Sequence, residues 1–188
     1  MIEAKVDSIR VSLVTQQRVV ILKDLTMERY LPIWIGHCEA DAIAFAIQEV
    51  PISRPLTHDL LCTIISELGA RVTHVLINDL RDDTYYARLV LDVNGRHAEI
   101  DCRSSDAVAI AVRVHSRIYV DESVMERGGV TLDGEPAGAG AEAGADHPEE
   151  GGSEGPKPDD ERLSVFRDFI NSLDIDDIDR PGRDENRG

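Results

Sequence analysis

Three short stretches of the chain hold side chains whose types and spacing suit phosphate or metal chemistry. The first is Gly36-His37-Cys38-Glu39-Ala40-Asp41, with four metal-capable side chains in five positions. Carboxylates such as Glu39 and Asp41 suit a hard divalent cation, Mg²⁺ or Mn²⁺, whereas His with Cys suits zinc. At the start of a helix the same acids would complement the macrodipole and need no ligand. The second stretch is Arg54-Pro55-Leu56-Thr57-His58-Asp59. There His58 is a candidate general acid or base, Arg54 a phosphate contact, Thr57 an N-cap and Asp59 a first-turn acid. The third is Arg103-Ser104-Ser105-Asp106, a cation just before a helix start, with two hydroxyls and free backbone N–H groups. Capping by Ser104 or Ser105, with Arg103 paired to an acid, is the competing account. Two such Arg-plus-helix-start elements can converge on one phosphate-binding cleft. G-x-S-x-G, H-E-x-x-H, Walker-type and dinucleotide-binding glycine motifs are all missing.

The elements that position these stretches are legible from periodicity. Asp41 to Ile47 (DAIAFAI) repeats as Asp106 to Val112 (DAVAIAV) at an offset of 65, with four of seven positions identical and the rest apolar. Alanine-rich, apolar all round and about twelve residues long, each block predicts a buried helix. Before the first block, 6–13 and 18–22 read as a hairpin and 30–35 as a third strand. Before the second, 72–77 and 85–93 form a hairpin through Asp82-Asp83, and Asn94-Gly95 turns into a strand over 97–102. Each unit is therefore strand, strand, strand, helix. On this reading Asp41 and Asp106 sit in the first turns of equivalent helices. A further helix over 57–68 lies between the repeats, stopped by Gly69. A short strand at 118–120 and a turn around 122–127 complete the core. The fold class is α+β: a duplicated strand-strand-strand-helix unit in one mixed-sheet domain.

Composition sets the outer limits. Lys and Arg number 20 against 36 Asp and Glu, a net charge of −16, which argues against an unassisted nucleic-acid or anionic-membrane binder. Eight aromatic residues are few for a stacking platform on single strands. The three cysteines, Cys38, Cys62 and Cys102, lack any C-x-x-C and make neither a disulfide framework nor a zinc knuckle. A cytoplasmic protein without a membrane span is the expectation. The domain is expected over 1–133. Residues 134–158 hold Gly, Ala, Pro and acid without a large apolar side chain and read as a flexible acidic linker. Leu163, Phe166, Ile170 and Leu173 give an amphipathic helix over 159–178, a candidate surface for a protein partner, and 179–188 should fray. Residues 136–188 carry 6 basic and 15 acidic groups.

The run Tyr30-Leu31-Pro32-Ile33-Trp34-Ile35-Gly36 with Glu39-Ala40, the run Arg54-Pro55-Leu56-Thr57-His58-Asp59-Leu60, and Arg103-x-Ser105-Asp106-Ala107-x-Ala109-Ile110-Ala111 together resemble the bifunctional nuclease domain family. The resemblance covers nearly all of residues 1–130. Ser104 stands where the family pattern has proline. The likeness implies a compact α+β domain that tends to form homo-oligomers and cuts phosphodiester bonds of DNA and RNA. On those motif matches His58, Asp59 and Glu39 are the expected catalytic residues. Arg54, Thr57, Arg103, Ser105 and Asp106 are the expected substrate contacts, and Glu39, Asp41 and Asp59 would hold a divalent metal. The alternative is a non-catalytic oligomeric binding or regulatory module that uses the C-terminal helix for a partner.

Overall fold

The computed structural model describes residues 1–12 and 16–131. The expected linker over 134–158, helix over 159–178 and end at 179–188 lie outside the described residues. Strands β1 (Ile2–Val11), β2 (Arg18–Asp24) and β3 (Arg29–Ile35) run into helix α1 (His37–Ile47), followed by α2 (Thr57–Glu67). Strands β4 (Ala70–Arg81), β5 (Thr84–Val93) and β6 (Arg96–Arg103) run into α3 (Ser104–Val114). Strand β7 (Arg117–Val120), helix α4 (Glu122–Gly128) and strand β8 (Val130–Thr131) follow. The duplicated unit and the α+β class are both present.

All eight strands share one sheet in the order β6-β5-β4-β7-β1-β2-β3-β8. The two three-stranded meanders flank β7, which is antiparallel to β1 and parallel to β4. Local chemistry sets the tight turns. Asp82 and Asp83 both adopt positive φ, as do Asn94 and Gly95, which is the backbone a two-residue hairpin of this hand requires. The Asp92 carboxylate accepts the Gly95 N–H and locks the second turn.

Helix α3 occupies the middle of the domain. Ala107, Val108, Ala109, Ile110 and Ala111 are all buried among Val20, Leu22, Leu31, Ile33, Val75, Ile77 and Leu89 of the sheet. Small alanines on α3 and at Ala40 and Ala42 of α1 let the two repeat helices pack closely, and α2 also lies against α3. One helix-start expectation needs correction. Asp106 is the third residue of α3, but Asp41 is the fifth of α1, where Glu39 holds the third position. The helices start two residues apart in repeat register because β6 pairs through Arg103, its last residue, whereas β3 ends at Ile35 opposite Arg18.

Candidate functional site

The three singled-out stretches are the N-termini of α1, α2 and α3, and each carries an acid at its third position: Glu39, Asp59 and Asp106. The caps differ from expectation. Leu56, not Thr57, is the N-cap of α2, and the Asp59 carboxylate reaches back to accept the Leu56 N–H at 2.7 Å. Thr57 is the exposed first helical residue. Arg103 is the N-cap of α3, so Ser104 and Ser105 are buried first-turn residues rather than caps. At α1 the cap is Gly36, and the Glu39 carboxylate folds so close over it that a Cβ there would overlap it.

Packing of α1 and α2 onto α3 joins four of the expected residues into one chain of polar contacts. Arg103 Nε donates to Asp106 Oδ2 at 2.8 Å, and its Nη2 donates to Asp106 Oδ1 at 3.1 Å and to Glu39 Oε1 at 2.6 Å. His58 Nε2 lies 3.0 Å from Asp106 Oδ1. Burial by itself would raise the Asp106 carboxyl, but the Arg103 and His58 hydrogen bonds outweigh it and hold the group below its usual range. An ionised carboxylate only accepts, so the His58 Nε2 carries the hydrogen toward Asp106 and Nδ1 is the nitrogen on the far side of the ring. Nδ1 makes no hydrogen bond among the described residues. Asp106 and Glu39 in turn raise the Arg103 guanidinium further, so it stays charged.

The remaining candidates lie elsewhere. Asp59 faces Arg113 of α3, whose Nε donates to Asp59 Oδ1 at 2.5 Å. Burial pushes the Asp59 carboxyl up, and the Arg113 and Leu56 hydrogen bonds bring it below its ordinary value. Asp41 pairs with Arg18, which also donates to the His37 carbonyl. Arg54 is exposed before α2 and has no hydrogen bond or ion pair among the described residues. Sequence reasoning passed over Arg113 and Arg18. The signal for Arg113 was a single cation interrupting the apolar run of α3.

Glu39, Asp41 and Asp59 were the expected metal ligands. Each is answered by a different arginine, and among the described residues no three His, Cys, Asp or Glu side chains are grouped to hold a metal ion. The donor set does not fit a cation held by those three carboxylates.

Residues 20–133, which contain all three helix N-termini, match the bifunctional nuclease domain family. The chain belongs to that family. An uncharacterized protein of Mycobacterium tuberculosis is 38% identical over 176 residues, covering 94% of this chain and 97% of its own length. That likeness runs on beyond the bifunctional nuclease domain, since 176 residues exceed it. Bifunctional nuclease 2 of Oryza sativa subsp. japonica is 34% identical over 106 residues, which is 55% of this chain and 33% of that protein. The bifunctional nuclease of Oryza minuta is 28% identical over 105 residues, 54% of this chain and 32% of its own.

Proposed function

We propose that the chain is a nuclease that hydrolyses phosphodiester bonds of DNA or RNA, with His58 as its proton-transfer group. The observation that carries this reading is the Asp106–His58 contact at 3.0 Å, held where three helix N-termini meet. Asp106 orients the ring through Nε2, and Nδ1 takes a proton from the attacking water. Water oxygen bonds to phosphorus, the bond to the departing sugar oxygen breaks, and solvent protonates that oxygen. Unpaired Arg54 and half-spent Arg103 supply positive charge for the phosphate oxygens, and the helix dipoles add to it. The free thiols of Cys38, Cys62 and Cys102 support work in a reducing, cytoplasmic compartment. Among the described residues no helix is long and apolar enough to cross a membrane.

Leu60, Leu61 and Ile64 of α2 and its C-cap Leu68 make an exposed apolar face, and Ile65 is the buried residue of the helix. That face supports self-association, with a second copy covering what the fold leaves bare. Light scattering of the full chain, with Ile64→Glu as the disrupting variant, tests it. A wholly monomeric wild type would remove the idea.

Arg103 favours a second reading. Its charge is already answered by Glu39 and Asp106, as expected if the cluster merely staples helix ends in a non-catalytic module. Assays of the purified chain on single-stranded DNA and on RNA, with and without EDTA, separate the two. The nuclease reading expects His58→Ala to lower the rate by about 10²–10⁴-fold with its fold intact. Cleavage that is absent, or equal in wild type and variant, leaves the binding module.

A further inference from the structure

A cavity of about 320 Å³ opens beside the candidate site, bounded by the C-terminal half of α1, the start of α2 and the end of α3. Phe45, Ile52, Leu56 and Val112 give it apolar walls, and Asp59 and Arg113 give it a polar edge. Asp59 follows His58 in the chain, so the cavity and the proton-transfer group share the first turn of α2.

The Arg113 side chain is 8% exposed, yet its hydrogen bonding is incomplete. Its Nε donates to Asp59 and its Nη1 donates to the Ala109 carbonyl at 2.8 Å, while Nη2 makes no hydrogen bond among the described residues. Three N–H donors of the guanidinium, one on Nη1 and two on Nη2, are thus unspent on a side chain that lines the cavity. These donors open toward the cavity and are available to an occupant that accepts from them. Asp59 has used one lone pair on each oxygen and can still accept. The edge therefore presents a donor next to an acceptor.

Charge decides which occupant fits. Arg113 and Asp59 cancel, and Glu49 at the rim adds a negative charge, so a phosphate is disfavoured there. A flat, neutral heterocycle with an acceptor beside a donor matches both the walls and the edge. Every nucleobase carries that pair on its Watson–Crick edge. Phe45, the single phenylalanine within residues 1–131, is 38% exposed and supplies a ring face for stacking. The volume lies at the small end of ligand pockets, the size for one base rather than a run of them.

We propose that this cavity binds one nucleobase of the substrate strand, stacked on Phe45 and hydrogen-bonded by Arg113 and Asp59. The inference rests on the nuclease reading and adds to it a base-recognition subsite beside His58. It reconciles the scarcity of aromatics with a single-stranded substrate, because one pocket replaces a platform. Pairing with an acceptor–donor edge common to all bases makes the subsite tolerant of sequence.

The test is a nuclear magnetic resonance titration of the full chain with the four ribonucleosides and, separately, with ribose 5-phosphate. Nucleosides should shift the resonances of Phe45, Ile52 and Val112, and ribose 5-phosphate should not. Phe45→Ala should weaken nucleoside binding about tenfold while the thermal midpoint stays within a few degrees. No shift at those residues, an equal response to ribose 5-phosphate, or undiminished binding by the variant would overturn the proposal. Binding needs no cleavage, so the two readings fail separately. Nucleoside binding without nuclease activity keeps the pocket and removes the nuclease, and cleavage without nucleoside binding does the reverse.

Discussion

Glu39 and Asp106 occupy the same third position of the two repeat helices and grip one guanidinium, that of Arg103. The two-residue shift between the helix starts, rather than the repeat register, thus places two like charges at neighbouring helix N-termini, and a single cation from the end of β6 keeps them compatible. Arg103 is itself two-thirds exposed, so its ion pairs are largely screened. Its importance lies in what its loss would leave behind.

Removal of Arg103 should therefore cost more than a surface ion pair. Arg103→Ala leaves the Glu39 and Asp106 carboxylates, both mostly covered, facing each other without a cation. We expect a loss of about 1–3 kcal/mol in urea unfolding, partly recovered by adding Glu39→Gln. If phosphate is also bound there, the salt dependence of nucleic-acid binding should flatten by about one unit. A double variant no more stable than the single one would show that like-charge repulsion is not the cause.

Two adjacent residues of α2 should behave differently on mutation. Asp59→Ala strips the partner from the nearly buried Arg113 and the cap from the Leu56 N–H, and should destabilise the domain by about 3 kcal/mol. His58→Ala should leave stability within about 1 kcal/mol, the scale of one hydrogen bond, and act on catalysis instead. Thermal melts beside activity assays distinguish these, and equal melting losses would contradict the division of roles.

Acid should weaken the fold in a defined window. Asp24, Asp59 and Asp106 all titrate below their ordinary values in the folded chain. At Asp24 burial pushes the carboxyl up, but the Thr26 backbone and hydroxyl, Arg29 and Met27 more than compensate. A depressed folded value means stability that is fully present above the unfolded value and lost as pH falls through the folded one. Stability should be level above about pH 5 and decline below about pH 4, where free aspartate begins to protonate. Asp24→Asn should be less stable near neutrality and show a shallower acid slope, which urea midpoints across pH would reveal.

The cysteines should differ in reactivity. Burial, with Asp106 and Asp101 adding to it, pushes the Cys102 thiol up to about 11, and burial also raises Cys62. Cys38 is exposed. A thiol reagent at pH 8 should label Cys38 first and reach Cys102 only on unfolding, as mass spectrometry of timed digests would show. Early labelling of Cys102 would mean that β6 opens readily.

Truncation after Glu135 removes 6 basic and 15 acidic groups. The shortened chain should melt within a few degrees of the full one and bind nucleic acid more tightly at low salt, with the advantage vanishing at high salt. Equal binding at low salt would assign the acidic segment to a partner rather than to screening.

Strand pairs, turns and the repeat could be read in advance because each is a short-range matter. Asp82-Asp83 and Asn94-Gly95 tolerate the positive φ of tight hairpins, and both alanine-rich blocks are helices, although only α3 is buried along its length while α1 leaves Phe45 and Ile47 exposed. The motif runs around Trp34, His58 and Asp106 likewise carried the family. Helix starts were less legible, since the last paired residue of β3 or β6 decides where the chain leaves the sheet, and that moved Asp41 two places from its expected equivalence with Asp106. The partners of the acids were not legible at all. Glu39 meets Arg103 across 64 residues, Asp59 meets Arg113 across 54, and Asp106 meets His58 across 48. Each acid had several arginines within reach of a flexible chain, and only the packing of α1 and α2 onto α3 brings one guanidinium within hydrogen-bonding distance of each carboxylate.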